Sequence, residues 1–253
     1  MNELQKFFEV NEQNLMNKWV HYFDIYERYF SSYRDKEVVI LEIGVYQGGS
    51  INMWKEYFGN KAKIYAIDIN PLCKRFESEN VRIFIGSQSD RAFLQEVINE
   101  IPELDILIDD GGHYMDQQII SFEELYPHVK EGGIYLCEDL HTSYWKDYGG
   151  GLKKSDTFIE YSKNLIDLLN SWHYAPEQSI TQFTRSTYSL HYYDSVLVIE
   201  KRKIAKPESR VTGKPVIDQS SFDADDTRNK VKSVSANETS LFNKLSNFVK
   251  KKN

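Results

Sequence analysis

Short apolar runs alternate with amphipathic stretches between about residues 38 and 138. The runs are continuously apolar, which is typical of parallel strands that are covered on both faces. The stretches between them carry apolar residues at helical spacing. This alternation predicts a doubly wound, mainly parallel sheet. The five strands predicted in this region are 38–43, 63–68, 81–86, 104–109 and 133–138.

The pattern changes on both sides of this region. An aromatic-rich helical segment within residues 3–30 precedes it, and an amphipathic helix is predicted over 155–172. Two β-like runs follow, QSITQFTRST and YSLHYYDSVLVIEK, and they predict an antiparallel pair at the edge of the sheet. The expected fold class is therefore α/β, with a Rossmann-like doubly wound, mainly parallel seven-stranded sheet and a terminal antiparallel strand pair.

Composition divides the chain into three predicted parts. Residues 1–34 form N-terminal helices, residues 35–201 form the α/β domain, and residues 202–253 form a flexible tail with many charges and few large apolar residues. The tail ends in SLFNKLSNFVKKKN, a short basic amphipathic helix that suits either docking or attachment to a membrane surface or membrane-bound partner. The aromatic stripe of the N-terminal helices fits a core or a subunit interface, and a homo-oligomer is expected.

Charge and hydropathy argue against a nucleic-acid-binding protein and against a protein that crosses a membrane. The formal net charge of −7 at pH 7 provides no general attraction to a phosphate backbone, so no nucleic-acid partner is expected. The N-terminus does not resemble a secretory leader, and no apolar run approaches the roughly 20 residues that cross a bilayer. We expect a cytoplasmic protein, with association at the cytoplasmic face of a membrane as the alternative.

Acidic side chains follow the fourth and fifth predicted strands. The motif DDGGH contains Asp109, Asp110 and His113, and the pair Glu138 and Asp139 comes 28 and 29 residues after Asp110. Neighbouring strand ends border the ligand crevice of an open α/β sheet. Oxygen ligands suit Mg²⁺ or Mn²⁺, so Asp110, Glu138 and Asp139 are candidate metal ligands. An imidazole beside them is a candidate general base, and the motif predicts a metal-assisted enzyme.

A glycine-rich turn, EIGVYQGGS, follows the first predicted strand. Glycines let a backbone approach a ligand closely, and a helix N-terminus offers free N–H groups. The dinucleotide fingerprint GxGxxG and the phosphate loop GxxxxGK[ST] are both absent from this turn. Asp68 ends the second predicted strand, where a doubly wound fold places a carboxylate on a ribose diol. The pattern favours a nucleoside ligand.

These segments resemble the class I S-adenosylmethionine-dependent methyltransferases, through EIGVYQGGS, YAIDINP and FIGSQSD. A narrower resemblance is to the bacterial sugar O-methyltransferases that modify macrolide deoxysugars, and to their relatives named after rhamnosyl methylation and cephalosporin biosynthesis. It is carried by IDDGGH, PHVKEGGIYLCEDLHTSYW and SLHYYDSVLVIEK and covers about residues 35–201. The resemblance implies methyl transfer from S-adenosylmethionine to a sugar hydroxyl, with Mg²⁺ or Mn²⁺, in polysaccharide or antibiotic biosynthesis.

The resemblance also assigns roles to residues by position. It makes His113 the general base beside Asp110. Tyr144 and Trp145 follow the Glu138–Asp139 pair and are expected to stack on the acceptor sugar, with packing of their loop onto the sheet as the alternative. Asp109 is counted with the cofactor residues, although orienting His113 or adding a metal ligand are open alternatives. The implied cofactor-binding residues are Glu42, Gly44 and Ser50 at the methionine end, Asp68 at the ribose, Gln88 and Ser89 at the adenine, and Asp109.

Two other functions remain open at this point. Catechol O-methyltransferases have a similar acidic pattern, so a phenol is an alternative acceptor. A non-catalytic protein that keeps the nucleoside pocket and recruits a glycan-assembly complex through its tail is the second alternative. A nicotinamide oxidoreductase or an oxygenase fits less well, because no set of two histidines and a carboxylate for iron is visible. The expected acceptor is a sugar-containing small molecule or a glycan.

Overall fold

Seven strands form a single sheet in the computed structural model, which describes residues 1–217. Their order is β3-β2-β1-β4-β5-β7-β6. Strands β1 to β5 run parallel, β7 pairs antiparallel with β5, and β6 pairs antiparallel with β7. The predicted fold class is confirmed. The strands are β1 Val39–Ile43, β2 Lys63–Asp68, β3 Val81–Ile85, β4 Leu104–Asp109, β5 Val129–Cys137, β6 Thr187–Tyr193 and β7 Val196–Lys201.

Helices cover both faces of this sheet and precede it. The predicted connection between β2 and β3 is a 3₁₀ segment, Pro71–Phe76, rather than an α-helix. Asn70 caps this segment by accepting a hydrogen bond from the backbone of Leu72. The α-helices are α1 Glu3–Glu9, α2 Tyr22–Phe30, α3 Gly49–Phe58, α4 Arg91–Glu100, α5 Met115–Leu125, α6 Phe158–Leu169 and α7 Gln182–Ser186.

The terminal strand pair is present, but one of its two predicted runs was wrong. QSITQFTRST contains helix α7, which Thr181 caps by accepting from the backbone N–H of Thr184. The second run, YSLHYYDSVLVIEK, supplies both β6 and β7. It reverses at Asp194 and Ser195, and Ser195 has the positive φ of 63° that a tight turn can require. Alternation alone could not distinguish one long strand from a hairpin.

The aromatic stripe of α2 packs inside the chain. Phe23, Tyr26 and Phe30 expose none of their surface, and Trp54 and Phe58 of α3 are equally buried against them. Large aromatic side chains contribute much of a core's buried apolar area. The stripe thus serves as core, and the expected homo-oligomer stays a prediction without its support.

The part of the tail that the structure describes is irregular. Residues 202–217 contain neither helix nor strand and are mostly exposed. The predicted basic amphipathic helix lies outside the described residues, and the predicted division into three parts stays a prediction. Within residues 1–217 no helix has both the length and the apolar character needed to cross a membrane.

Candidate active site

The two acidic segments meet at the carboxyl ends of β4 and β5. Asp109 and Cys137, the last residues of the two strands, are paired in the parallel register. The backbone N–H of Glu138 donates to the carbonyl of Asp109 at 2.9 Å, so the strands continue their pairing into the turn. The predicted convergence of the DDGGH motif with the Glu138–Asp139 pair is therefore present.

A lysine that the sequence analysis did not identify lies between the two segments. Lys18 Nζ is 2.5 Å from Asp110 Oδ2 and 2.9 Å from Glu138 Oε2, and its side chain is only 3% exposed. Burial alone would lower the pKa of Lys18, but the charges of Asp110 and Glu138 outweigh it and raise that pKa well above its usual range. Lys18 lies in an irregular segment without hydrophobic periodicity, so no local pattern indicated its role. The one available signal was that carboxylates that converge need a positive charge nearby.

Glu138 has a partner on each carboxylate oxygen. Its Oε1 accepts a hydrogen bond of 2.6 Å from the hydroxyl of Tyr26, and its Oε2 is paired with Lys18. Burial, followed by the charge of Asp110, raises the pKa of Glu138 to about 8, against the opposing effects of Lys18 and Tyr26. As arranged, this predicted metal ligand has its oxygens directed at Lys18 and Tyr26.

Asp110 and Asp139 each direct one oxygen at His113. His113 Nε2 lies 3.3 Å from Asp139 Oδ2 and 3.9 Å from Asp110 Oδ1. The second oxygen of Asp139 accepts a 2.8 Å hydrogen bond from the hydroxyl of Tyr22. One ligand atom from each of Asp110, His113 and Asp139 can be chosen so that all three lie within 4.8 Å of one another. This group, rather than one that includes Glu138, has the spacing of a metal site among the described residues.

Two residues of this group have strained backbones. His113 has φ of 57° and Asp139 has φ of 55°, a region that residues other than glycine seldom occupy. Thr142 Oγ1 lies within hydrogen-bond distance of both carbonyl oxygens, at 3.1 Å from that of His113 and 2.8 Å from that of Asp139. One buried hydroxyl thus ties the two turns together and holds the imidazole beside the carboxylate.

Glu42 and Ser50, predicted at the methionine end of the cofactor, are bonded to each other. Ser50 Oγ donates to Glu42 Oε2 at 2.9 Å, and Trp54 Nε1 donates to Glu42 Oε1 at 2.8 Å. Glu42 is fully buried, and this burial raises its pKa to about 7 despite the opposing charge of Lys18. In this arrangement Glu42 supports the start of α3 from beneath.

The glycine-rich turn contains Gly44 and is held by Asp68 at the end of β2. Gly44 has φ of +95°, and a Cβ there would come within 2.1 Å of the carbonyl oxygen of Asp110. Asp68 Oδ2 accepts from the backbone N–H groups of Val45 at 2.9 Å and Tyr46 at 3.0 Å. Only glycine permits this close approach between the glycine-rich turn and the DDGGH turn. The other oxygen of Asp68 accepts from the backbone N–H of Asn70 at 2.8 Å, and the residue as a whole is partly exposed.

Gln88 and Asp109 brace the DDGGH turn. Gln88 Nε2 donates to Asp109 Oδ1 at 3.1 Å, and its Oε1 accepts from the backbone of Gly112 at 2.7 Å. The other oxygen of Asp109 accepts from the hydroxyl of Ser121. Asp109 is fully buried, which raises its pKa to about 6 against these hydrogen bonds. Of the roles left open for Asp109, the geometry favours support of the turn that carries His113, and its predicted cofactor contact stays a prediction.

Ser89 is half-buried in the loop after β3. It is not the cap of α4, because Asp90 accepts from the backbone of Ala92 at 3.0 Å in that role. Its hydroxyl lies 2.9 Å from that of Ser87. The predicted contact with adenine stays a prediction.

Tyr144 and Trp145 lie on the surface next to the acidic group. They are 46% and 49% exposed, respectively. The ring of Trp145 contacts that of His141 at a centroid distance of 4.4 Å, and His141 Nδ1 lies 4.0 Å from Asp139 Oδ1. The half-exposed ring of Trp19 also contacts His141, at a centroid distance of 5.5 Å. These aromatic side chains form one wall beside Asp139, and the predicted contact of Tyr144 and Trp145 with an acceptor stays a prediction.

The part of the chain that contains these residues is similar in sequence to known methyltransferases. Residues 41–140 match a family described as "Methyltransferase domain". The chain is 37% identical over 209 residues to demethylmacrocin O-methyltransferase of Streptomyces fradiae, covering 76% of this chain and 52% of the relative. It is 35% identical over 188 residues to mycinamicin VI 2''-O-methyltransferase of Micromonospora griseorubida, covering 70% and 47%. The chain thus spans about half the length of these relatives.

A solved structure shares the fold. The MycE methyltransferase of the mycinamycin biosynthetic pathway, in complex with Mg, SAH and mycinamycin VI, superposes with a TM-score of 0.69 at 31% identity. The match covers 79% of this chain and 53% of the MycE chain. The sheet order and these similarities agree with the resemblance seen in the sequence. Residues 41–140 thus match a methyltransferase domain, and the chain is similar in sequence and in fold to sugar O-methyltransferases.

Proposed function

We propose that this chain transfers the methyl group of S-adenosylmethionine to a sugar hydroxyl with the help of Mg²⁺ or Mn²⁺. The observation that carries the proposal is the convergence of Asp110 and Asp139 on His113 Nε2, beside the exposed rings of Tyr144 and Trp145. The MycE complex supports it, since that similar protein binds Mg, SAH and a mycinamycin.

His113 has the surroundings of a general base. A sugar hydroxyl is a poor nucleophile at neutral pH unless its proton is removed during the reaction. His113 Nε2 is the atom proposed to accept it, because the carboxylates at 3.3 Å and 3.9 Å stabilise the imidazolium that forms. Thr142 keeps the imidazole in place through the carbonyl of His113.

The donor set fits a divalent cation. Asp110 and Asp139 offer carboxylate oxygens within 4.8 Å of one another, and oxygen is the ligand atom that Mg²⁺ and Mn²⁺ prefer. A bound cation would stabilise the negative charge that develops on the acceptor oxygen. Glu138 is proposed as a further ligand, although Lys18 and Tyr26 hold its oxygens here.

The carboxyl ends of β1, β2 and β3 are the proposed cofactor crevice. Gly44, Asp68 and Gln88 follow these strands, at the edge where open α/β sheets bind their ligands. Asp68 is partly exposed at the end of β2, and a carboxylate there suits a ribose diol. The remaining proposed contacts are those of Glu42, Ser50, Ser89 and Asp109.

The test is release of S-adenosylhomocysteine from purified protein given S-adenosylmethionine and a panel of acceptors. The panel contains macrolide deoxysugars, rhamnosides and a catechol, each with Mg²⁺, with EDTA, and with EDTA followed by excess Mg²⁺. We expect turnover on a glycoside that EDTA abolishes and Mg²⁺ restores. Turnover on the catechol alone would establish a phenol acceptor instead, and indifference to EDTA would refute the metal.

A pair of variants tests the base. His113→Ala is expected to abolish turnover while binding S-adenosylmethionine, measured by calorimetry, with unchanged affinity. His173→Ala removes an exposed imidazole from a 3₁₀ segment and is the matched control, expected to keep wild-type activity. Full activity of His113→Ala would refute the assignment.

A further inference from the structure

Lys18 is the single buried residue of segment 11–20, which has no helix or strand and which we call the N-terminal strap. Its apolar residues Leu15, Trp19 and Val20 are each more than half exposed. An irregular segment therefore buries a charged side chain and leaves these three apolar ones largely in water, while Met16 is partly buried against the core. Burial of an ammonium is costly without a partner, so the carboxylates of Asp110 and Glu138 must account for its position.

The strap crosses the edge of the sheet where the site lies. Its backbone packs on the first residue of α3, since a Cβ at Gly49 would meet the carbonyl oxygen of Leu15 at 2.6 Å. A side-chain hydrogen bond of 3.1 Å joins Asn52 to Gln13, and it is exposed. The pairing of Lys18 with two carboxylates, at 2.5 Å and 2.9 Å, is the strongest electrostatic attachment of the strap.

The carboxylates that hold Lys18 are those proposed to hold the metal. Lys18 takes Asp110 Oδ2 and Glu138 Oε2, and Tyr26 takes the other oxygen of Glu138. Glu138 therefore has to lose one of these two partners before it can ligate an ion. Lys18 is the one that a divalent cation disfavours, because two positive charges on the same carboxylates repel each other, whereas a tyrosine hydroxyl is neutral.

We propose that Lys18 and a divalent cation are alternative counter-ions of the Asp110–Glu138 pair, so that loading the ion releases the strap. The inference rests on the proposed metal site and adds a regulatory element to it. Release requires Lys18 to enter water, where an ammonium is well hydrated, and Met16 to give up its partly buried contact with the core. Trp19 moves with the strap, so the aromatic wall beside the acceptor opens when the ion binds.

Manganese binding by three proteins tests the competition. Mn²⁺ affinity is measured by calorimetry, without cofactor or acceptor, for the wild type, Lys18→Met and Lys6→Met. Lys6 is exposed on α1 and serves as the matched control. We expect Lys18→Met to bind Mn²⁺ at least about tenfold more tightly than the other two. Equal or weaker binding by Lys18→Met overturns the proposal.

Lysine labelling of the wild type gives a second measurement that does not depend on a variant that folds. An amine-acylating reagent is applied with and without saturating Mn²⁺, and modified lysines are identified by mass spectrometry. Lys18 should be protected without Mn²⁺ and labelled at least about fivefold faster with it, whereas Lys6 should be labelled equally in both states. Protection of Lys18 at saturating Mn²⁺ overturns the proposal.

The results separate this inference from the proposed function. Mn²⁺ binding with no effect of Lys18→Met and no change in labelling refutes the competition and leaves the metal-assisted transferase intact. Absence of Mn²⁺ binding in all three proteins refutes both. Neither measurement uses a sugar, so a wrong acceptor class does not affect them.

Discussion

Replacing Glu42 with glutamine removes a carboxyl group whose ionisation the fold opposes. Glu42 is fully buried, and its hydrogen bonds from Ser50 and Trp54 do not fully offset the loss of water. The amide of the introduced glutamine is nearly the same size and can still accept from Trp54, while Ser50 can rotate to accept from the amide. The substitution therefore changes the titration of the site more than its packing.

The magnitude follows from the raised pKa. Burial, the largest cause, raises the pKa of Glu42 from 4.5 to about 7, so the folded protein holds the proton more tightly than the unfolded chain. The stability that this carboxyl contributes is fully present below pH 4.5 and is lost as the pH rises through about 7. That gap corresponds to about 3 kcal/mol, at about 1.4 kcal/mol for each pH unit.

The assay is urea unfolding of the wild type and Glu42→Gln at pH 5 and pH 8, without ligand. The other groups titrate in both proteins, so their effect cancels when the unfolding free energy of the wild type is subtracted from that of the variant. This difference should be about 2–3 kcal/mol larger at pH 8 than at pH 5. Glu96→Gln, on the exposed side of α4, corrects for the loss of one surface charge. A gain that differs by less than about 0.5 kcal/mol between the two pH values would refute the reasoning.

Three further substitutions test other parts of the site. Tyr26→Phe removes the hydroxyl that donates to buried Glu138 and should lower the unfolding free energy by about 1.5–3 kcal/mol. The control Tyr33→Phe removes a hydroxyl that donates to the exposed carbonyl of Gly132 and should lower it by about 1 kcal/mol or less. Gly44→Ala should lower the unfolding free energy by more than about 3 kcal/mol, because it adds a clash to the strain of a positive φ. Gly132 has a positive φ but open space around it, so Gly132→Ala should lower it by about 1–2 kcal/mol. Equal losses in the two variants would contradict the clash. Trp145→Ala should raise KM for the glycoside about tenfold with kcat nearly unchanged, and an unchanged KM would remove Trp145 from the acceptor site.

The sheet and its acidic edge could be predicted because both depend on local patterns. Continuously apolar runs mark strands covered on both faces, and β1 to β4 lie within a residue of their predicted bounds. Asp110 and Asp139 could be placed together because adjacent strands end at one edge. The reversal at Asp194 and Ser195 was missed, since it consists of only two polar residues between aromatic and aliphatic ones and contains no glycine or proline.

The interior of the site could not be predicted, because it depends on contacts between distant residues. Nothing near Lys18 indicates that its partners are 92 and 120 residues further along the chain. Asp109 and Glu42 precede glycine-containing turns as a ligand-binding carboxylate does, and only the positions of Ser121 and Trp54 show that both are buried and bonded within the protein. Sequence patterns indicated which strand ends carry the chemistry, and packing determines which carboxylates face solvent.

Side chains from the first 30 residues are bonded to the carboxylates that follow β5. These bonds limit where the chain can be cut to give a functional unit. Residues 41–140 match the methyltransferase family, yet Lys18, Tyr22 and Tyr26 lie before that range and satisfy Glu138 and Asp139. An excised fragment of residues 41–140 would leave a buried carboxylate without its counter-charge, and we expect it to fail as an autonomous folding unit. Transplanting this chemistry into another protein would require the N-terminal strap and α2 to travel with it.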